Sequence, residues 1–192
     1  QLNVKGELIC DKPFPSMPIY FWNDNNKKNY RKAYFNKYSN VWTHGDFILI
    51  NNNYGVKIFG RSDATLNPGG VRIGTSEIYH VVETISYIED SLAIGQNWKD
   101  DERIVLFIKI KKGGCFSDKL EKEIKNKIKS FCSPRHVPSK IIPIEDIPYT
   151  INGKKVEIAV KNIINGFEPD NKSSLSNPES LDLYKNIIEL NQ

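Results

Sequence analysis

Hydrophobic positions in this chain change their period several times, and the changes mark its elements. From Gly6 to Phe59 the apolar residues are rich in Tyr, Phe and Trp and lie between turn formers: Pro13, Pro15, Pro18, 23–26 and 51–53. Such a pattern predicts short strands joined by loops. Phe47-Ile48-Leu49-Ile50 and Val56-Lys57-Ile58-Phe59 flank an Asn-Asn-Asn-Tyr-Gly turn and predict a hairpin. Gly60 to Gly74 holds four glycines and Pro68 with little helical periodicity, so a loop with a short strand pair is expected. Behind it, Ile78, Val81, Val82 and Ile85 recur at helical spacing, predicting a helix over 76–84 with Thr75 or Ser76 as N-cap.

Further on, 90–96 and 103–110 read as strands, the second with an unbroken apolar run from Ile104 to Ile108. Residues 117–131 predict an amphipathic helix capped by Ser117, with Leu120, Ile124, Ile128 and Phe131 on its buried stripe. A strand over 139–144, a tight hairpin over 147–156 about Asn152-Gly153, and a helix over 156–164 follow. Strands and helices alternate without a Gly-x-Gly-x-x-Gly fingerprint, which favours a small α+β domain over a dinucleotide-binding unit. From Gly166 to Ser180 the composition shifts to Asn, Ser, Pro and Asp, as in a flexible tether, and 181–190 suits a short docking helix.

Composition changes this picture little. With 192 residues, 39% hydrophobic and 26% charged, the chain is of ordinary globular type, not collagen, coiled coil or disordered. No apolar stretch is long enough to span a bilayer. Met17 is the single methionine and the chain opens at Gln1 in an extended stretch, so we expect the natural amino terminus to lie upstream. Cys10, Cys115 and Cys132 form no paired motif, which favours a reducing, cytoplasmic setting over a disulfide framework. His44, His80 and His136 lack metal-ligand spacing, and no metal site is expected from them. The net charge of +4 is modest, and lysines alternate with acids along 119–125 as on a solvated helix face. No nucleic-acid reading motif accompanies them.

Two stretches carry candidate chemistry. Trp42-Thr43-His44-Gly45-Asp46 sets a carboxylate just after a Gly turn, where it suits paired ribose hydroxyls, or simply a turn or cap. Between Gly60 and Gly74, Arg61 and Arg72 suit phosphate oxygens, while the glycines permit close backbone approach; no Walker lysine follows. In Ile147-Pro148-Tyr149-Thr150-Ile151-Asn152-Gly153-Lys154-Lys155-Val156, the Asn-Gly turn brings Lys154 to the tip. An exposed hairpin lysine is commonly just solubilising.

Together these stretches resemble the adenylate-forming acyl-CoA synthetase superfamily. The resemblance implies that Asp46 binds ribose, Arg61 supports the adenylate, Asp63 is the hinge of a rotating lid, and Arg72 stabilises one lid orientation. It places Gly69 and Gly70 beside the pantetheine of CoA, with Arg135 as a possible CoA-phosphate contact. It makes Lys154 the catalytic lysine, although Lys155 stands where the family has an apolar residue, leaving open which lysine reaches in. His44 also departs from the family's usual Thr. The stretches 12–22, 133–138, 149–157 and 177–181 resemble acetoacetyl-CoA synthetases in particular.

That resemblance implies an α+β fold: residues 1–62 as the β-rich last subdomain of a larger amino-terminal domain, 63–166 as a small mobile lid with a mostly antiparallel sheet and flanking helices, and 167–192 as tether and docking helix. The implied substrates are acetoacetate, ATP with Mg2+, and CoA, and the implied partner is the amino-terminal domain of the same chain. Neither nucleic acid nor a membrane span is expected. The isolated chain is expected to be inactive, because the family's phosphate-gripping loop and acyl pocket are absent from these residues. Activation of acetate or another short acid is an alternative, as is a non-catalytic binding module using the basic helix 117–131.

Overall fold

The computed structural model describes residues 2–168 and 172–191. They divide into two units, with the boundary after Asp63.

The first unit is a three-stranded antiparallel sheet of β1 (Gly6–Cys10), β2 (Trp42–Ile50) and β3 (Val56–Arg61), in that order. The β2–β3 hairpin turns through the expected asparagines: Asn51 Oδ1 accepts from the amides of Asn53 (2.9 Å) and Gly55 (2.8 Å). Its side chain thus does locally what a backbone turn would do. One element differs from the strand-and-loop expectation, the helix α1 (Lys28–Tyr34). It lacks an apolar stripe. Asp24 starts it instead, accepting from the amides of Asn29 (3.1 Å) and Tyr30 (2.8 Å). Tyr34 then stacks on buried Trp42 at 3.6 Å, and Phe14 meets the same ring edge-on at 5.2 Å. An aromatic cluster, not periodicity, makes this segment helical.

The second unit is α+β. Its sheet has the order β4 (Ile88–Trp98), β5 (Asp101–Ile110), β6 (Lys140–Pro143). β4 and β5 pair antiparallel, whereas β6 pairs parallel to β5 after a crossover through α3 (Asp118–Phe131). Side chains alternate across a strand, so the apolar run 104–108 must bury both faces. Ile104, Leu106 and Ile108 pack under α2 (Thr75–Val82) and α3, against Ile78, Val82, Ile124 and Ile128. Val105 and Phe107 face the other way, with Leu92 and Ile94, toward Val160 of α4 (Glu157–Ile164) and Leu181, Tyr184 and Leu190.

Local corrections follow from this packing. Gly74 caps α2, its amide donating to Glu77 Oε1 at 3.0 Å, because Thr75 is buried with its hydroxyl toward Glu157. Phe131, expected on the buried stripe of α3, is 74% exposed, and Cys132 turns inward instead to the carbonyl of Glu77. The 147–156 hairpin is a turn with a single bridge, Tyr149 to Lys155, and does not extend into strands. Of the segment read from composition as a tether, 169–171 lie outside the described residues and Leu175 is buried, while 3₁₀ helices at Pro178–Tyr184 and Ile188–Asn191 stand where a short docking helix over 181–190 was expected. The side chains of Ser176, Asn177 and Ser180 bond to backbone groups, a use of the same residue types that composition cannot distinguish from solvation.

Leu181→Ala is expected to lower the unfolding free energy by about 2–5 kcal/mol, and Ile188→Ala, on an exposed side chain, by less than about 0.5 kcal/mol. Urea unfolding of the two variants checks whether this segment belongs to the cooperative core.

Candidate functional site

In the first unit the structure brings Asp46, Arg61 and Asp63 together. β2 and β3 set Asp46 opposite Arg61, next to a bulge. Arg61 forms a two-pronged pair with Asp63, Nε to Oδ1 at 3.0 Å and Nη2 to Oδ2 at 2.7 Å. Its Nη1 donates to the His44 carbonyl at 3.2 Å and lies 4.0 Å from Asp46 Oδ1. Donating to the Asp63 carboxylate, with help from the charges of Asp63, Asp46 and Glu7, holds the guanidinium more firmly charged against the opposing effect of burial. Gly45 makes the approach possible. Its φ is +86°, and a Cβ there would lie 2.8 Å from Arg61 Nη2. His44 also belongs to this cluster, its Nδ1–H donating to Asp46 Oδ2 at 2.6 Å. A carboxylate so oriented, with acceptor capacity left over, suits vicinal hydroxyls, and the adjacent guanidinium suits an anion.

In the second unit Gly69 and Gly70 lie in a 3₁₀ turn, Pro68–Gly70, with φ of +57° and +78°. Two consecutive acids at the start of β5 hold this loop. Asp101 Oδ2 accepts from the Gly69 amide at 3.0 Å, and Glu102 Oε1 from the Asn67 amide at 2.6 Å. A Cβ on Gly69 would lie 2.9 Å from Arg135 Nη1, so the glycine permits the arginine to reach the loop. Ser133 positions Arg135 by capping its 3₁₀ turn, Oγ accepting from the Arg135 amide at 3.2 Å. Arg72 is exposed just beyond the loop.

Lys154 is held by other elements. The Thr150 amide donates to the Lys154 carbonyl, and that of Gly153 to the Thr150 carbonyl, both at 2.8 Å, while Thr150 Oγ1 accepts from the Lys154 amide at 3.0 Å. The Lys154 side chain is exposed. Lys155 goes the other way. Its ammonium lies 2.6 Å from Glu83 Oε1, 2.7 Å from Asp90 Oδ1 and 2.6 Å from the Ser91 carbonyl, above the Tyr79 ring at 4.1 Å. Only 16% of its side chain is exposed. The geometry therefore separates the two lysines: Lys155 anchors the turn and Lys154 is presented by it.

Around this anchor lie groups that sequence reading missed. Tyr149 Oη donates to Asp90 Oδ2 at 2.5 Å, and burial together with that carboxylate raises the phenol's pKa. Tyr79 Oη donates to Glu157 Oε1 at 3.0 Å and accepts from the Ala93 amide at 2.9 Å. Burial pushes the Glu157 carboxyl above its ordinary value, more than Tyr79, Lys155 and Thr75 bring it down. The available signal was Lys155 itself, a cation in an apolar family position, which requires acids nearby. Among the described residues, no group of three or more His, Cys, Asp or Glu is placed to hold a metal ion. Among them too, no helix is long and apolar enough to cross a membrane.

Comparison with known proteins gives this geometry a context. Acetoacetyl-coenzyme A synthetase of Rhizobium meliloti (strain 1021) is 53% identical over 186 residues, covering 97% of this chain and 29% of that protein. The chain is homologous to one part of acetoacetyl-CoA synthetase. The enzyme of Rattus norvegicus is 54% identical over 189 residues, covering 97% of this chain and 28% of the relative. Acetoacetyl-CoA synthetase from Streptomyces lividans superposes with a TM-score of 0.91 at 37% identity, over 100% of this chain and 29% of that structure. The chain thus spans under a third of the length of the acetoacetyl-CoA synthetases it matches. No protein-family model matches it.

Lys155→Met is expected to destabilise by about 1–3 kcal/mol, because Asp90 and Glu83 lose their shared cation, whereas Lys154→Met changes stability by less than about 0.5 kcal/mol. Chemical denaturation of both variants measures the difference.

Glu157 generates a pH prediction. Its native carboxyl binds a proton more tightly than the unfolded one, so its ionisation costs stability as pH rises from the ordinary carboxyl value through the raised native one. Thermal unfolding between pH 4 and 7 (about the range from an ordinary carboxyl upward) should show Glu157→Gln losing less stability than the parent over that rise.

Proposed function

We propose that this chain is the part of an AMP-forming acetoacetate–CoA ligase that carries the ribose and adenylate contacts, the hinge and the catalytic lysine. The reaction has two steps. An acetoacetate oxygen attacks the α-phosphorus of MgATP and pyrophosphate leaves; the CoA thiol, giving up its proton, then attacks the acyl carbon and AMP leaves. In the first, Lys154 supplies positive charge where negative charge develops on the α-phosphate. Asp46 accepts from the ribose hydroxyls, with His44 orienting it, and Arg61 binds the adenylate. In the second, the segment from Asp63 onward acts as a lid that turns about Asp63, withdraws Lys154 and brings Gly69 and Gly70 to the pantetheine. Arg135, beside Gly69, serves a CoA phosphate, and Arg72 stabilises one lid orientation. The amino-terminal remainder of the enzyme supplies the acyl pocket, and the reaction runs in the cytoplasm, a setting consistent with three free cysteines.

The observation that carries this reading is the separation of the lysines: one drawn in among acids, its neighbour delivered to solvent on a tight turn. A merely solubilising pair would have no need of that division. The basic face of α3 gives the binding-module alternative no comparable support, since Lys125 is paired with Glu121 at 2.6 Å.

In the full-length parent enzyme, acetoacetate-dependent AMP release is expected to fall about 10²–10³-fold in Lys154→Ala. Equal rates would refute the lysine's role, and release with acetate in place of acetoacetate would correct the substrate.

A further inference from the structure

The turn that presents Lys154 is weak by itself. A single bridge joins Tyr149 to Lys155, and a two-stranded hairpin standing alone is marginal in water. Lys155 secures its inner side. Its outer edge is covered by a stretch more than twenty residues further along the chain. The Ile151 amide donates to the Ser174 carbonyl at 3.0 Å, and the Ser176 amide to the Tyr149 carbonyl at 2.9 Å, so that Thr150 and Leu175 form an antiparallel bridge. Asn177 closes this bridged stretch. Its Oδ1 accepts from the Tyr149 amide at 2.9 Å, and its Nδ2 donates to Asp146 Oδ2 at 2.6 Å and to the Ile147 carbonyl at 2.9 Å.

The covering stretch is itself pinned. Leu175, Leu181 and Tyr184 are buried on the α4 side of the sheet, with the Tyr184 ring edge-on to Phe107 at 4.8 Å and its hydroxyl donating to the Asp146 carbonyl at 3.0 Å. Beyond it, the Leu190 carbonyl accepts from Arg103 Nη2 at 2.7 Å and Gln96 Nε2 at 3.1 Å. The backbone of 149–151 therefore takes its position from a segment that is itself held to the sheet further along, through Tyr184 on Phe107 and Leu190 on Gln96 and Arg103.

We propose that residues 174–177, anchored by Asn177, are a positioning element for Lys154, bridging to the lysine turn and fixing it where it delivers the ammonium. The inference rests on the reading of Lys154 given above. Asn177 acts through the turn and contacts no reacting atom, and its effect is confined to the half-reaction that uses Lys154.

The test compares Asn177→Ala and Lys154→Ala in the full-length parent enzyme. It measures acetoacetate-dependent exchange of pyrophosphate into ATP, CoA thioester formation from supplied acyl-adenylate, and amide hydrogen exchange across 149–155. Asn177→Ala is expected to slow pyrophosphate exchange about 10–100-fold, the order lost when a group is misplaced by about an ångström. Thioester formation should stay within about threefold of the parent, since positioning acts on the first step alone. The amides of Thr150 and Gly153 should lose protection while those of β4 and β5 keep theirs. Undiminished pyrophosphate exchange, or equal loss in both half-reactions with β4 and β5 also deprotected, overturns the proposal. Lys154→Ala separates the two levels: if it too leaves pyrophosphate exchange intact, the lysine reading fails and the inference with it; if it alone abolishes exchange, only the inference fails. Should Asn177→Ala not fold, Ser176→Pro removes the amide bonded to Tyr149 and keeps the buried side chains, and is judged by the same outcomes.

Discussion

Five consecutive apolar residues in the middle of β5, Ile104 to Ile108, impose the main constraint on the second unit. A strand sends alternate side chains to opposite faces, so such a run cannot be satisfied by one layer of cover. Helices α2 and α3 supply the first layer. The second is assembled from α4 and from short 3₁₀ turns that no periodicity marks. Everything of chemical interest in this unit hangs on that two-sided sheet: the Gly69 loop through Asp101 and Glu102 at the β5 entrance, the lysine turn through Asp90 and Ser91 on β4, and the covering segment through Phe107, Gln96 and Arg103.

Charge is handled differently at the two lysines of the turn, and the difference has a plain physical basis. An ammonium that leaves water needs compensating acceptors, which Lys155 finds in two carboxylates, a carbonyl and a ring face. Among the described residues Lys154 meets none of these, and its side chain is exposed. Much the same economy appears at Arg61, where Asp63 occupies one edge of the guanidinium and leaves it close to Asp46. Conformational freedom at Gly45 is what lets these groups meet, since any side chain there would fall on the arginine.

Elements with a strong period were legible in the order of residues alone: the helices around 76–84, 117–131 and 156–164, the strands of the second sheet, and the Asn-rich hairpin of the first. Those held together by specific side chains were not. Helix α1 depends on Asp24 and on stacking against Trp42, and the 172–191 segment on Leu175, Asn177 and Tyr184 finding distant partners. At the candidate site, Asp46, Arg61 and Asp63 could be named from their motif, as could Gly69, Gly70, Arg72, Arg135 and Lys154. Their supports could not: His44 on Asp46, Asp101 under Gly69, and Asn177 across the lysine turn come from positions too remote, or from residue types too common, to register as a pattern.

By itself, then, the sequence determined what short-range physics determines: where the period is two or near four, where glycine and asparagine turn the chain, and which residues bear charge in a recognisable spacing. Tertiary structure alone decided which of two adjacent lysines is drawn in among acids, that β6 runs parallel to β5, and that a stretch with the composition of a tether joins α4 in the second layer of a core. The reason is that local pattern reports a residue's preference for burial or turning, whereas the partner that satisfies a buried charge, a free amide or an exposed strand face is chosen by the fold from residues far away in the chain.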